Sequence, residues 1–266
     1  MSVKKWILFT SFWGLSVLAP AHEFWLLPKK WRVEPGQQVH LQLRVGEGFS
    51  GEPWEAATSR VTRFRSLEGK HVTDYLPILQ KQGIDSLFLT FDRPGTHLVA
   101  LATNSKYIEL EAQKFDDYLR EDGLEHVRQF RRQTGQSDRP GREFYRRDAA
   151  TLIQVGSTPT AVFFKKTGFD LQILPQQNPL LVAPGSRLTF QVRFRGKPLA
   201  GALVRHWQRT ASGDVNLVFQ TSDRKGKVRF VVPEGEQMVS LVHMIPHPKP
   251  AEADWQSTWG SLTWMR

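Results

Sequence analysis

"SRLTFQVRFRGKP", residues 186–198, is the stretch that decides the fold. Leu188, Phe190, Val192 and Phe194 alternate with Arg187, Thr189, Gln191 and Arg193, the period-two pattern of a strand with one dry and one wet face. Downstream, "ALVRHW", "VNLVFQ", "KVRFVV", "MVSLVHMI" and "WGSLTWM" read as further strands, joined by Gly, Pro and Asp turns. Short strands at such regular spacing predict a β-sandwich.

Upstream the same period returns. In "QQVHLQLRV" Val39, Leu41, Leu43 and Val45 form the buried face and His40 falls on the wet one. "SLFLTF" and "HLVALAT" are two more strands, separated by the turn "DRPG". The Gly-containing "RVGEGFSGEP" reads as a loop, because it lacks the strand-to-helix context of a phosphate cradle. From Glu111 the period changes: Phe115, Tyr118, Leu119, Leu124, Val127 and Phe130 recur at helical spacing, with Gly123 as a cap or break. "QTGQSDRPGR" has the composition of a connection. The predicted fold class is mainly β: two β-sandwich-like domains with a short helical insert. The divisions are 22–110 for the first β unit, 111–156 for the helical insert and a return strand, and 157–266 for the second sandwich.

The N-terminus carries a cationic "MSVKK", the uncharged "WILFTSFWGLSVL" and the small residues Ala19 and Ala21. That is the three-part pattern of a secretory signal peptide over residues 1–21. Its apolar run is shorter than the ~20 residues a membrane span needs. Cleavage after Ala21 would leave a soluble chain whose first residue, His22, has a free α-amine. With no cysteine, disulfides cannot supply stability, and a metal site must use His, Met, carboxylate or amine ligands. The formal charge of +10 suggests anionic envelope partners. Seven arginines (Arg128, Arg131, Arg132, Arg139, Arg142, Arg146, Arg147) fall within twenty residues and read as a solvated helix face followed by a loop. No aromatic interleaving accompanies them, so nucleic acid is not an expected partner.

Several stretches taken in order carry a family resemblance: "HEFWLLP", "RVGEGFSGEP", "ELEAQKFDDYLREDGLEHV", "PGREFYRRDAATLIQVG", "KPLAGALV", "LVHM" and "ADWQSTWGSL". The chain resembles a bacterial periplasmic family, the domain of unknown function 4198, often labelled nickel-uptake-related or NikM-like. The resemblance implies a periplasmic, two-part β protein that handles a transition metal. Asp148 and Thr151 depart from the family pattern, which has an aromatic residue and a lysine there. "GKPLAGALV" to "TSDRKGKVRF" also resembles the prealbumin-like sandwiches of carboxypeptidase regulatory domains. In that setting Gly201 would permit close strand packing, and Asp223 with Gly226 would shape a tight turn.

An N-terminal histidine offers its amine and its imidazole to one ion, a two-nitrogen chelate suited to nickel, cobalt or copper. His243 is the second candidate ligand, since "LVHM" belongs to the family stretches and Met244 beside it carries a soft thioether. Asp254, in "ADWQS", is a third candidate, or else a cap for the turn before the last strand. His40, His71, His126 and His247 read as surface or loop histidines, and His97 and His206 as structural ones. Phe24 and Trp25 are expected to pin the N-terminus onto the sandwich. The expected function is capture or delivery of a divalent transition ion (Ni, Co or Cu) for uptake through a membrane transporter. Two alternatives stay open: a copper-dependent oxidase or monooxygenase using a histidine brace, and a metal-free module binding envelope polymer or protein.

Overall fold

The computed structural model describes residues 23–85 and 87–266; the expected signal peptide and His22 lie outside the described residues. The chain opens with β1 (Glu23–Pro28), β2 (Arg32–Val33), β3 (Gln38–Glu47), β4 (Ser50–Pro53), β5 (Val61–Glu68) and β6 (His71–Asp74). Helix α1 (Leu76–Gln82) leads into β7 (Phe88–Thr90), β8 (Gly95–Thr103) and β9 (Lys106–Leu110). Helices α2 (Ala112–Glu121) and α3 (Glu125–Gln133) precede the long β10 (Gly141–Val155). Then come β11 (Leu171–Pro175), β12 (Ser186–Phe194), β13 (Lys197–Pro198) and β14 (Leu203–Arg209). The last four are β15 (Val215–Thr221), β16 (Lys227–Val232), β17 (Glu236–Pro246) and β18 (Trp255–Met265).

The fold is mainly β and sandwich-built, as the strand periods predict. Its backbone is one ten-stranded central sheet, β15-β14-β17-β18-β10-β8-β5-β6, with β2 and β9 also paired to β10. Strands from both halves of the sequence meet in it where β10 and β18 pair in parallel, from Glu143↔Trp255 to Thr151↔Thr263. A front sheet of β1, β3, β4 and β7 covers one face, and a back sheet of β11, β12, β13 and β16 covers the other.

Period two along β8 shows how the layers are fed. Val99 and Leu101 join the front core with Phe24, Leu26, Leu41 and Leu43. Leu98 joins the back core with Leu188, Phe190 and Trp264, while Ala100 and Ala102 meet Phe169. Every residue of β8 is therefore buried, as expected where both faces of a strand are covered. Helices α2 and α3 complete the front layer. Phe115, Tyr118, Leu119, Leu124 and Val127 pack on Val242, Met244, Trp255 and Trp259 of the central sheet.

The edge of β1 is sealed by hydroxyls. Ser261 and Thr263 of β18 donate to the Phe24 and Leu26 carbonyls at 2.6 and 2.7 Å, satisfying backbone acceptors that have no strand neighbour on that side. Phe24 and Trp25 are buried beneath, at 3% and 0% exposure, so the N-terminal segment is pinned.

Three local expectations are corrected. "RVGEGFSGEP" is a β3–β4 hairpin, Gly46 opposite Gly51. It needs glycine because a Cβ at Gly51 would lie 2.4 Å from the Val45 carbonyl oxygen and 2.7 Å from the Trp25 ring. Gly201 does not serve close packing, since the space beside it is open; its φ of +73° makes the requirement conformational. The arginine run is not a solvated face. Arg131 is 2% exposed, lies 4.9 Å over the Phe115 ring and donates to the Arg139 carbonyl. Arg128 is held by Asp116 and Glu125, and Arg146 by Asp148 and Asp170. The turn at Asp223 is as expected: its Oδ1 accepts from the backbone N–H of Lys225 and Lys227, both at 2.8 Å.

Because one sheet serves both cores, the cores are expected to unfold together. Trp264→Ala removes a fully buried ring that packs on Phe190 and should cost about 3–5 kcal/mol. In urea, the loss of strand signal and of tryptophan fluorescence should shift together to lower denaturant. Two separated transitions in the parent protein would refute this coupling.

Candidate functional site

The front layer contains a buried charged cluster where β1, α2 and β14 meet. The Arg205 guanidinium on β14 reaches Asp122, just past α2, at 2.6 Å and Glu23, the first residue of β1, at 3.8 Å. It also donates to the Glu121 carbonyl at 2.7 Å, an orphan acceptor at the helix end. All three charged side chains are at least nine-tenths buried or close to it. One guanidinium facing two carboxylates leaves an excess of negative charge. Burial pushes Glu23 up to about 7, against the pull of Arg205 and with a further push from Asp122. Burial likewise pushes Asp122 up to about 6. Ser240 of β17 donates to Glu23 at 3.4 Å, and a cavity of about 10 Å³ separates Glu23, Arg205, Ser240 and Trp259, room for about one water.

A second buried acid lies beside the first. Glu143, from β10, accepts from the Tyr118 hydroxyl at 3.3 Å and from Ser257, while its Oε2 has no partner. Burial pushes this carboxyl up to about 7, with Asp122 adding to the rise. The Trp259 ring stacks on Tyr118 at 5.8 Å and 9°, walling the pair off from water.

His243 is placed apart from this cluster. Its ring turns to the back sheet, edge-on to Phe194 at 4.5 Å, whereas Glu23 lies on the front face beside Ser240 of the same strand. Beyond the end of β14, the strand edge is open and α3 brings His126 alongside, the two imidazoles stacked with 5.9 Å between centroids. The His126 Nε2–H donates to the Met244 carbonyl at 2.9 Å, which leaves Nδ1 as the ring nitrogen the backbone does not engage. Burial pushes His243 down to about 4, helped by His126 and Arg195, so its ring is neutral near pH 7 and can act as a ligand.

Asp254 is elsewhere. Burial alone would raise its carboxyl, yet Arg142 holds it below the ordinary value. The guanidinium donates to Oδ1 at 2.8 Å and Oδ2 at 3.2 Å, and the Arg142 backbone N–H to Oδ2 at 3.3 Å. Both oxygens are thus occupied in tying β10 to β18, and the structure does not bring Asp254 to His243. His97 sits between Ser66 at 2.9 Å and the Arg93 carbonyl at 2.8 Å. His206 sits between Gln237 and Gln208. Among the described residues no group of three or more His, Cys, Asp or Glu is arranged to hold a metal ion. His22 lies outside them.

A family model matches residues 19–245. The chain belongs to the family described as a domain of unknown function, DUF4198. No curated protein matches it. Among solved structures, the D0–D1 domain of intimin is 12% identical, covering 92% of this chain and 98% of its own, with a TM-score of 0.21. So low a score supports nothing about fold or function.

The stretches that marked this DUF4198 chain in the sequence converge in space. "HEFWLLP" supplies β1, the helical stretch supplies α2 and α3, "PGREFYRRDAATLIQVG" is β10, and "LVHM" and "ADWQSTWGSL" lie in β17 and β18. They meet around Glu23, Asp122, Glu143 and the two histidines. Sequence reading did not find Arg205, Asp122, Glu143 or His126. The one available signal was Arg205, a charge inside an otherwise apolar strand.

The buried acids predict an unusual pH dependence. Each binds its proton more tightly in the folded state, so stability is greatest below the unfolded value near 4.5 and falls as pH rises towards about 7. Glu143→Gln removes one such group. Moving from pH 4.5 to 8, stability should shift in the variant's favour by about 1–3 kcal/mol relative to the parent. Parallel stability curves from urea melts at both pH values would exclude an elevated Glu143 carboxyl.

Proposed function

We propose that the protein is an exported binder of a late first-row transition ion, nickel, cobalt or copper, which it captures for delivery to a membrane transporter. The observation that carries this reading is the His126–His243 pair. One ring is locked by a backbone carbonyl, the usual outer-shell device that orients a metal-bound imidazole. The other is neutral through burial and makes no hydrogen bond among the described residues. Imidazole nitrogens bind such ions at about 2.0–2.1 Å, and with 5.9 Å between ring centroids one ion would reach both rings once that of His243 turns. Arg195 nearby is already neutralised by Asp170 at 3.1 Å. The nickel-uptake association that the sequence resemblance implies points to the same ion class. His22, if signal cleavage frees its α-amine, would offer a chelate of amine and ring of its own.

Calorimetric titration of the processed protein with nickel and copper tests the proposal. His243→Ala and His126→Ala should each weaken binding at least tenfold, about 1.4 kcal/mol. Asp254→Asn should leave affinity unchanged while lowering the melting temperature through loss of the Arg142 tie. Adding one residue ahead of His22 converts the amine to an amide and isolates the terminal chelate. If neither histidine variant weakens binding and the extension does, the ion sits at the terminus alone. If no variant matters, the metal reading fails.

A further inference from the structure

At the far end of the central sheet, β15 has a strand neighbour on one side only among the described residues. The hydrogen bonds from Ser222 N–H to the Ala202 carbonyl and from Thr210 N–H to the Asp214 carbonyl fix the register of its pairing with β14. Hydrogen-bonded and open positions alternate in an antiparallel pair. The backbone groups of Val215, Leu217, Phe219 and Thr221 therefore point off the sheet. The strand "VNLVFQT" contains no charge and no proline, the devices that normally blunt an edge. Its side chains are unusually bare: Val218 is 41% and Phe219 51% exposed.

The neighbouring edge, β16, is treated differently. The Gln220 side chain donates to the Arg229 carbonyl at 2.6 Å and accepts the Arg229 N–H at 2.9 Å. Gln208 donates to the Val231 carbonyl at 3.3 Å. One edge is thus closed by side-chain amides while the edge beside it is left open. Between them runs a groove of about 530 Å³, lined by Val218, Phe230 and Val231 together with Arg187 and Arg229. Among the described residues, neither arginine has a carboxylate partner and no carboxylate lines the groove.

We propose that the β15 edge and this groove form a docking site for an extended segment of another protein, one in which acidic residues alternate with apolar ones. Such a segment adds a strand to β15 through main-chain hydrogen bonds. Alternate side chains then fall on opposite faces. Acidic ones meet Arg187 and Arg229, and apolar ones cover Phe219 and Val215. A second copy of this chain is a poorer occupant, because pairing like edges brings the same unpaired arginines together on a molecule of net charge +10.

The probe is a ten-residue peptide alternating glutamate and valine, with a lysine–valine peptide as control, both measured by fluorescence anisotropy in the presence of chelator so that metal plays no part. The glutamate peptide should bind and the lysine peptide should not. Phe219→Pro removes an outward N–H without touching a bond inside the sheet; binding should fall at least tenfold with the melting temperature held. The double variant Arg187→Glu, Arg229→Glu should reverse the preference between the two peptides. Equal binding of both peptides, unchanged binding by Phe219→Pro, or no binding at millimolar peptide would overturn the proposal. So would a dimer in light scattering that Phe219→Pro dissolves, since the edge would then serve self-pairing.

Discussion

The parallel pairing of β10 with β18 is the contact on which the rest of the structure depends. It joins the two halves of the chain in one sheet and so puts a layer on each face of the central strands. A strand buried on both faces has no wet side on which to place polar groups, and each must find a partner inside. Ser261 and Thr263 spend their hydroxyls on β1 carbonyls. Thr151 donates to the Thr263 carbonyl at 3.3 Å. Asp148 accepts the Leu171 N–H at 3.0 Å, from the first strand of the back sheet. Of the two positions that depart from the expected pattern, Asp148 therefore ties the central sheet to the back sheet, and Thr151 ties two strands within the central sheet.

The same constraint explains where the charge goes. Arg147 is 7% exposed and without a carboxylate. It is sandwiched among the rings of Phe24, Trp54 and Tyr145 at 5.1–5.8 Å, and burial pushes it down to about 10. Cation–π contact is worth about 0.5–2 kcal/mol or more where water is excluded, well short of a full ion pair. On the opposite side of the balance, Glu23 and Asp122 share one guanidinium, and Glu143 is held only by the Tyr118 and Ser257 hydroxyls. The interior thus holds an arginine with rings for company and acids that resist ionising. Both are consequences of polar strands pressed between two layers.

Strands of the outer sheets were legible because one face stays wet. β12 and β16 show the alternation directly in their burial patterns, and the helical hairpin was legible from its 3.6 period, with five of six apolar positions buried. β10 was expected only as a return strand somewhere in 111–156. "GREFYRRDAATLIQV" carries five charges in the eight residues after its glycine, and nothing local records that Arg147 meets aromatic rings or that Asp148 caps another strand. Arg131 misled for the same reason: its partners are a ring sixteen residues upstream and carbonyls beyond its own helix. For the candidate site, His243 was legible as a residue of interest through "LVHM", but its neighbour His126 was not, because the two are 117 positions apart and meet only when α3 folds over the open end of β17. Asp254 was legible as a turn residue; its ion pair with Arg142 was hidden by a separation of 112 residues.

A protein covered on both faces has few places left for ligands or partners. Function must sit where the layers run out, and the structure offers two such places. One is the stretch of β17 past the end of β14, where the sheet has lost a neighbour and α3 supplies His126 in its stead. The other is the outer edge of β15, whose outward backbone groups are left without a strand neighbour among the described residues. They draw on different chemistry, neutral imidazole at one and open backbone with unpaired guanidinium at the other. Only β14 separates β15 from β17 in the sheet, with Phe219 opposite Arg205 and Arg205 opposite Ser240. An ion at the one and a strand at the other, if both bind as proposed, would therefore act on the same three strands, and any coupling between them would run through β14.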